Sequence, residues 1–154
     1  MNTQAAPEPP GRVLGLDLGD ARIGVAISDD HRRLAVPVGT VRTGAPQDLK
    51  SIAALVRDND VTLVVVGHPL SMSGQSGSRA RHTEEFAGAL GSFLGVPVVL
   101  HDERLSTVEA ERALRDAGAS GRDLRRVVDR QAATVILQSF LDGERARRPG
   151  GTSA

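Results

Sequence analysis

Apolar and polar residues alternate through positions 13–18 and again through 22–29. That is the period-two pattern of strands whose side chains point to opposite faces of a sheet. In the first stretch Leu14, Leu16 and Leu18 share one face, which should meet a helix layer, and Val13, Gly15, Asp17 and Gly19 share the other. In the second, Ile23, Val25 and Ile27 oppose Gly24, Ala26 and Ser28 across a turn at 19–21. Each strand therefore has one bulky face and one stripped of bulk. A stripped face beside a carboxylate can leave room for a ligand to approach the sheet, or can accept a closely packed helix. The pattern alone does not choose between them.

A third, shorter strand ending near Val38 should complete a meander. Leu49, Ile52, Ala53 and Val56 then form one stripe of a helix over 46–58. The unbroken apolar run 61–67 predicts a parallel strand covered on both faces. A glycine- and serine-rich loop follows at 68–77, then a helix over 78–94 with Phe86, Leu90, Phe93 and Leu94 inward, and a strand at 96–100. A capping box at Ser106 and Glu109 opens a helix over 106–117 that Gly118 stops. The last helix is expected over 124–142, stopping at Gly143. Three consecutive strands followed by alternating helices and strands predict an α/β domain with a mixed five-stranded sheet flanked by helices. One domain is expected over 12–142, with Pro-, Ala- and Gly-rich flexible tails at 1–11 and 143–154.

The 154 residues suffice for a real core. A formal net charge of zero excludes a global field that would draw the chain to nucleic acid or anionic membrane. The basic residues are nonetheless arginines apart from Lys50, which suits bidentate contact with phosphate or reflects an arginine-biased genome. The absence of cysteine excludes disulfides and thiolate metal sites. Aromatics are only 2%, which argues against binding single strands by stacking. No apolar run approaches the roughly 18 residues of a membrane span, and the N-terminus lacks a signal pattern. A cytoplasmic protein without a membrane partner is expected.

Acidic residues carry the candidate chemistry. Asp17 lies near the end of the first strand, and Asp102-Glu103 ends the strand at 96–100, where ligand sites of open α/β sheets gather. Consecutive acids point to opposite faces, so only one of the two can share a face with Asp17. The other reading is that either acid stabilises the start of the helix at Ser106. Asp129 sits on or beside the stripe formed by Ala132, Ala133, Ile136, Leu137 and Phe140. A carboxylate facing a sheet is costly unless paired or bound to a cation; Arg125, Arg126 and Arg130 are alternative partners. Taken jointly, the acids suit hard divalent ions such as Mg²⁺ or Mn²⁺. His31, His68, His82 and His101 lack zinc-site spacing; His82 should be solvated, and His68 or His101 could line the site.

Four segments then carry a resemblance: GLDLGDARIGVAISD from Gly15, VVGHPLSMSGQSG from Val65, HDERLSTVEAE from His101 and VDRQAATVILQSFL from Val128. Their order and spacing closely resemble the YqgF family, also called RuvX, which is described as Holliday junction resolvases and as pre-16S rRNA nucleases. The resemblance implies a ribonuclease H-like fold and a divalent-metal nuclease, with Mg²⁺ or Mn²⁺ as cofactor. The family's acidic positions fall here on Asp17, Glu103 and Asp129, with Asp102 as a weaker fourth ligand. Asp20 departs from the small hydroxyl residue frequent in the family. Loop residues Ser73 and Gly74, through backbone N–H groups, and Arg22, Arg79 and Arg104 are the expected nucleic-acid contacts. Arg81 is a further candidate, with a surface ion pair as its alternative. The substrate would be structured RNA, the 5′ end of precursor 16S rRNA, or else branched DNA, for which a homodimer would suit a symmetric junction. Two other classes remain to be weighed. A phosphate-binding module like the actin-type ATPases would use the D-x-G hairpin, but no second such hairpin is visible. A non-catalytic nucleic-acid binder would have to tolerate acids that repel phosphate.

Overall fold

The computed structural model describes residues 8–105 and 132–147. β1 (Arg12–Leu18), β2 (Arg22–Ser28) and β3 (Ala35–Arg42) form the antiparallel meander, with α1 (Gln47–Asp58) next. β4 (Val61–His68), α2 (Ser78–Phe93), β5 (Val98–Asp102) and α3 (Ala132–Arg147) complete the described elements. The sheet runs β3-β2-β1-β4-β5. β1 is antiparallel to β2 and parallel to β4, and β5 is parallel to β4. This is the mixed five-stranded sheet that the alternation predicts. The helix expected at 106–117, its capping box and Asp129 lie outside the described residues.

The two faces of the sheet divide as the alternation requires. Leu14, Leu16, Ile23 and Val25 pack with Ile52 and Val56 of α1 and Leu90 of α2. On the opposite face Val13, Ala26 and Val65 meet Ala133, Ile136, Leu137 and Phe140 of α3. Val64, Val65 and Val66 are fully buried, as expected of a strand covered on both sides. At the usual 25 cal/mol per Å² of apolar area, each such valine contributes on the order of 1.5 kcal/mol. α3 is pinned by Gln138, whose Oε1 accepts the Ala35 N–H at 2.8 Å while its Nε2 donates to the Arg33 carbonyl at 2.9 Å. Among the described residues no helix is long and apolar enough to cross a membrane.

Several expectations need correction. β3 continues to Arg42 rather than ending near Val38. Pro37 and Gly39 look like strand breakers, but β3 is an edge strand, and a register shift opposite Val25 and Ala26 absorbs them. β5 begins at Val98 and includes His101 and Asp102, so these residues belong to the strand rather than follow it. Phe93 is exposed; Leu94, just past the helix, folds back against the core instead. Gly143 does not end α3, which runs to Arg147 with ion pairs Arg145–Asp142 and Arg147–Glu144 along its last turns. Upstream of β1, the Gly11 N–H donates to the Asp30 carbonyl, and Arg32 donates to the carbonyls of Gly11 and Pro10.

Candidate active site

β1 delivers Asp17 to the α3 side of the sheet, the face it shares with Val13 and Gly15. The register that pairs Leu16 with Val66 sets Asp17 beside Gly67 on the neighbouring strand. Glu103, just past β5, reaches back over the same glycine: a Cβ added at Gly67 would lie 2.9 Å from Glu103 Oε2 and 2.6 Å from Ile136 Cδ1. Asp17 and Glu103 are thus brought together across β4. Burial raises the pKa of Asp17, and the Arg79 guanidinium partly offsets it. Glu103 is raised by burial and then by the Asp17 charge, with Arg79 and His68 pulling the other way. Two partly buried carboxylates that repel each other, facing one guanidinium, make a site that favours added positive charge.

Asp102 points elsewhere. Both of its oxygens accept from Arg104, Oδ1 from Nε at 3.0 Å and Oδ2 from Nη2 at 2.6 Å. These bonds, led by the Arg104 side chain, hold its carboxyl below the usual aspartate range. Arg104 also donates through Nη1 to the carbonyls of Ser71 and Met72, at 3.4 and 3.3 Å. Its head group is therefore committed to Asp102 and to the loop at 68–77. That loop is closed on itself. The Gly74 N–H donates to the Ser71 carbonyl at 2.8 Å, the Ser71 N–H to the Gln75 carbonyl at 3.0 Å, and the Ser71 and Ser73 hydroxyls lie 2.9 Å apart. The Gly74 amide, expected to meet phosphate, is used inside the turn.

The far end of the loop is tied by a network that sequence reading missed. Glu84 Oε2 accepts from the Ser76 hydroxyl at 2.8 Å and lies 2.6 Å from His68 Nε2. The Ser76 bond and then His68 lower the Glu84 pKa. Arg81 donates to the Ser76 carbonyl at 3.1 Å. The only available signal was Glu84 lying one helical turn past Arg81 and following a loop that begins with His68. His101 is structural in placement: its Nε2 lies 3.0 Å from Ser139 Oγ and its ring meets Phe140 edge-on. His82 is exposed, as expected. Arg22 and Asp17 line one cavity of about 260 Å³ with Gly24, Pro37, Thr40 and Thr134. Arg79 and His82 line another of about 250 Å³ beside Gly19 and Asp20. Among the described residues no three acidic or histidine side chains converge tightly enough to hold an ion, and the third expected acid, Asp129, lies outside them.

A family model described as RuvX, Holliday junction resolvase, matches residues 11–143. A protein of Anaeromyxobacter sp. (strain Fw109-5), named as a candidate pre-16S rRNA nuclease, is 54% identical over 136 residues, covering 88% of this chain and 99% of that protein. A relative with the same name from Roseiflexus sp. (strain RS-1) is 45% identical over 138 residues, covering 88% and 97%. Among solved structures, T. thermophilus RuvC in complex with Holliday junction substrate superposes with a TM-score of 0.55 at 15% identity, over 88% of this chain and 96% of that one. That likeness concerns the fold, and agrees with the expected ribonuclease H-like architecture.

Proposed function

The chain belongs to the RuvX family, and we propose that it is a divalent-metal-dependent nuclease centred on Asp17, Glu103 and Asp129. The observation that supports this reading is the approach of Asp17 and Glu103 across Gly67, with burial and mutual repulsion raising the pKa of Glu103. Such a pair is costly to keep ionised unless a cation joins it. Its oxygen donors suit Mg²⁺ or Mn²⁺, so the residues present fit the cofactor. When bound, such ions supply an activated water and offset charge developing on the phosphodiester. Asp17 and Glu103 hold the cation side of the site. Arg79, which both carboxylates feel, draws the phosphate oxygens toward them. Arg22 contacts the backbone from the β2 side. Arg104 and Asp102 act as a brace for the loop carrying Ser73 and Gly74, and Asp102 is a structural acid rather than a ligand.

The favoured substrate is the 5′ region of precursor 16S rRNA, which places the protein in the cytoplasm. The second reading is branched DNA, favoured by the family's description, and there a homodimer would match the symmetry of the junction. Purified protein is incubated with Mn²⁺ and, separately, with a precursor 16S rRNA fragment or a synthetic four-way DNA junction. The RNA is expected to be cut, and Asp17→Asn to abolish cutting while far-UV circular dichroism stays native. Full activity in Asp17→Asn would sink the metal-site assignment.

A further inference from the structure

Met72 is the most exposed of the large apolar side chains among the described residues, at 91%; Leu34, at 61%, comes next. A single exposed apolar residue is ordinary. Its setting here is not. Met72 sits at the tip of a loop that is closed internally by Ser71, Gly74 and Gln75. The Met72 carbonyl itself accepts from Arg104, the residue after Glu103. The other end is fixed by Ser76 and His68 on Glu84. The backbone of the Met72 loop is thus braced by Arg104 at its tip and by Glu84 at its ends, while the Met72 side chain stands clear of the protein.

From this placement, and resting on the nuclease reading above, we propose that Met72 is a wedge that enters a base step of the nucleic acid beside the scissile phosphate and opens it. The chemistry of the residue fits. Apolar side chains, methionine among them, are inserted between base steps by proteins that bend or open duplexes. The thioether is long, unbranched and polarisable, and makes favourable contacts with aromatic rings. The chain has no Trp or Tyr to stack instead. Phe140 is buried under α3, and Phe93 lies at the end of α2 away from the loop. Arg79, at the start of α2, supplies charge to hold the phosphates while the base is displaced. Opening a paired step is what a nuclease acting at the edge of a structured RNA, or at a branch point, requires before the strand can reach the carboxylates.

The test uses the full-length protein and two versions of one synthetic RNA hairpin that the wild type cuts. In one version the base next to the cleavage position is paired; in the other an abasic residue replaces it. Met72→Ala and Met72→Gln are compared with wild type. Because Met72 is solvent-exposed, thermal midpoints should not move. The expected result is a loss of about tenfold or more on the paired hairpin and less than about twofold on the abasic one. Met72→Leu should restore most of the activity. A 2-aminopurine at the same step should brighten when wild type binds in Ca²⁺ and stay dark with Met72→Ala. Equal loss on both hairpins, or no loss on either, overturns the wedge. If wild type cuts no nucleic acid at all, the nuclease reading fails instead. The fluorescence arm then still decides the wedge on its own: no brightening with wild type overturns it.

Discussion

Gly67→Ala separates the structural from the catalytic demands on the sheet. The added methyl would lie 2.6 Å from Ile136 Cδ1, 2.9 Å from Glu103 Oε2 and 3.1 Å from Glu103 Cγ. The first two are closer than real methyl contacts permit and the third is tight, so something must move. Ile136 is 3% exposed and packed under α3, whereas the Glu103 carboxylate ends a flexible side chain. The carboxylate should yield first. Overpacking of this kind costs about 1–3 kcal/mol, against about 0.5–1 kcal/mol regained by replacing glycine in a strand. The net loss is about 0–2.5 kcal/mol, which for a chain of this size lowers Tm by at most roughly 10 °C. Displacing a catalytic group by about 1 Å costs on the order of 100-fold in rate. Gly15→Ala is the comparison: its methyl would meet Leu137 Cβ at 2.8 Å and the Ala133 carbonyl at 3.3 Å, atoms fixed to the α3 backbone. It should lose more stability than Gly67→Ala and less activity per degree of Tm. Thermal melts and single-turnover cleavage under saturating Mn²⁺ give both numbers. A Gly67→Ala protein with wild-type activity would refute the claim that the bare glycine makes room for Glu103.

Asp17 has a folded-state pKa above its ordinary value, so the native state holds a proton that the unfolded chain releases. Its ionisation therefore costs nothing below the ordinary aspartate range and destabilises the metal-free fold increasingly as pH rises through the raised value. Asp17→Asn should melt higher than metal-free wild type at pH 7, with the difference vanishing in acid; added Mn²⁺ should raise the wild-type midpoint and leave the variant unmoved. Gln138→Ala strands the Ala35 N–H and frees the Arg33 carbonyl, and should cost about 1–3 kcal/mol in urea unfolding. Gly88→Ala, in α2 with nothing within 4 Å of the added methyl, should stabilise by about 0.5–1 kcal/mol in the same assay and leave cleavage unchanged.

Elements with a clean period were legible. The alternation in β1 and β2 assigned each side chain to its layer, and the valine run of β4 announced a strand buried on both sides. Boundaries set by tertiary context were not. Pro37 and Gly39 interrupt a pattern, but an edge strand with a register shift tolerates both. Gly143 reads as a stop, yet α3 continues over it with ion pairs spaced three residues apart. The site was half legible. Strand alternation allowed only one of Asp102 and Glu103 to share a face with Asp17, and it was the family resemblance that pointed to Glu103. The roles of Arg104 and Gly74 could not be read, because whether a donor is free depends on contacts across about 30 residues of chain. For the same reason Glu84 was invisible: its partners His68 and Ser76 are assembled only by the return of α2 across the sheet.

The stripped face of the sheet raised two possibilities, room for a ligand or close packing of a helix, and the chain uses both at different heights. At Gly15 the missing side chain admits Leu137 and the Ala133 carbonyl, so α3 lies directly on β1. At Gly24 there is space beside both Ala133 and Asp17, at 3.5 and 3.8 Å from a notional Cβ. At Gly67 the space is shared by the Ile136 Cδ1 methyl of α3 and the Glu103 side chain. The topology explains why that third glycine matters most. β1 and β5 are not neighbours; β4 lies between them, so their backbones are separated by about two strand spacings, or roughly 10 Å. Asp17 has a short side chain and Glu103 a longer one. They can approach each other only by reaching over β4, and any side chain at position 67 would stand in that lane. The strand thus has to be apolar and bulky through Val66 to hold two helix layers, and bare one residue later. The change from VVV to Gly marks the boundary between the part of β4 that builds the core and the part that leaves room for the chemistry.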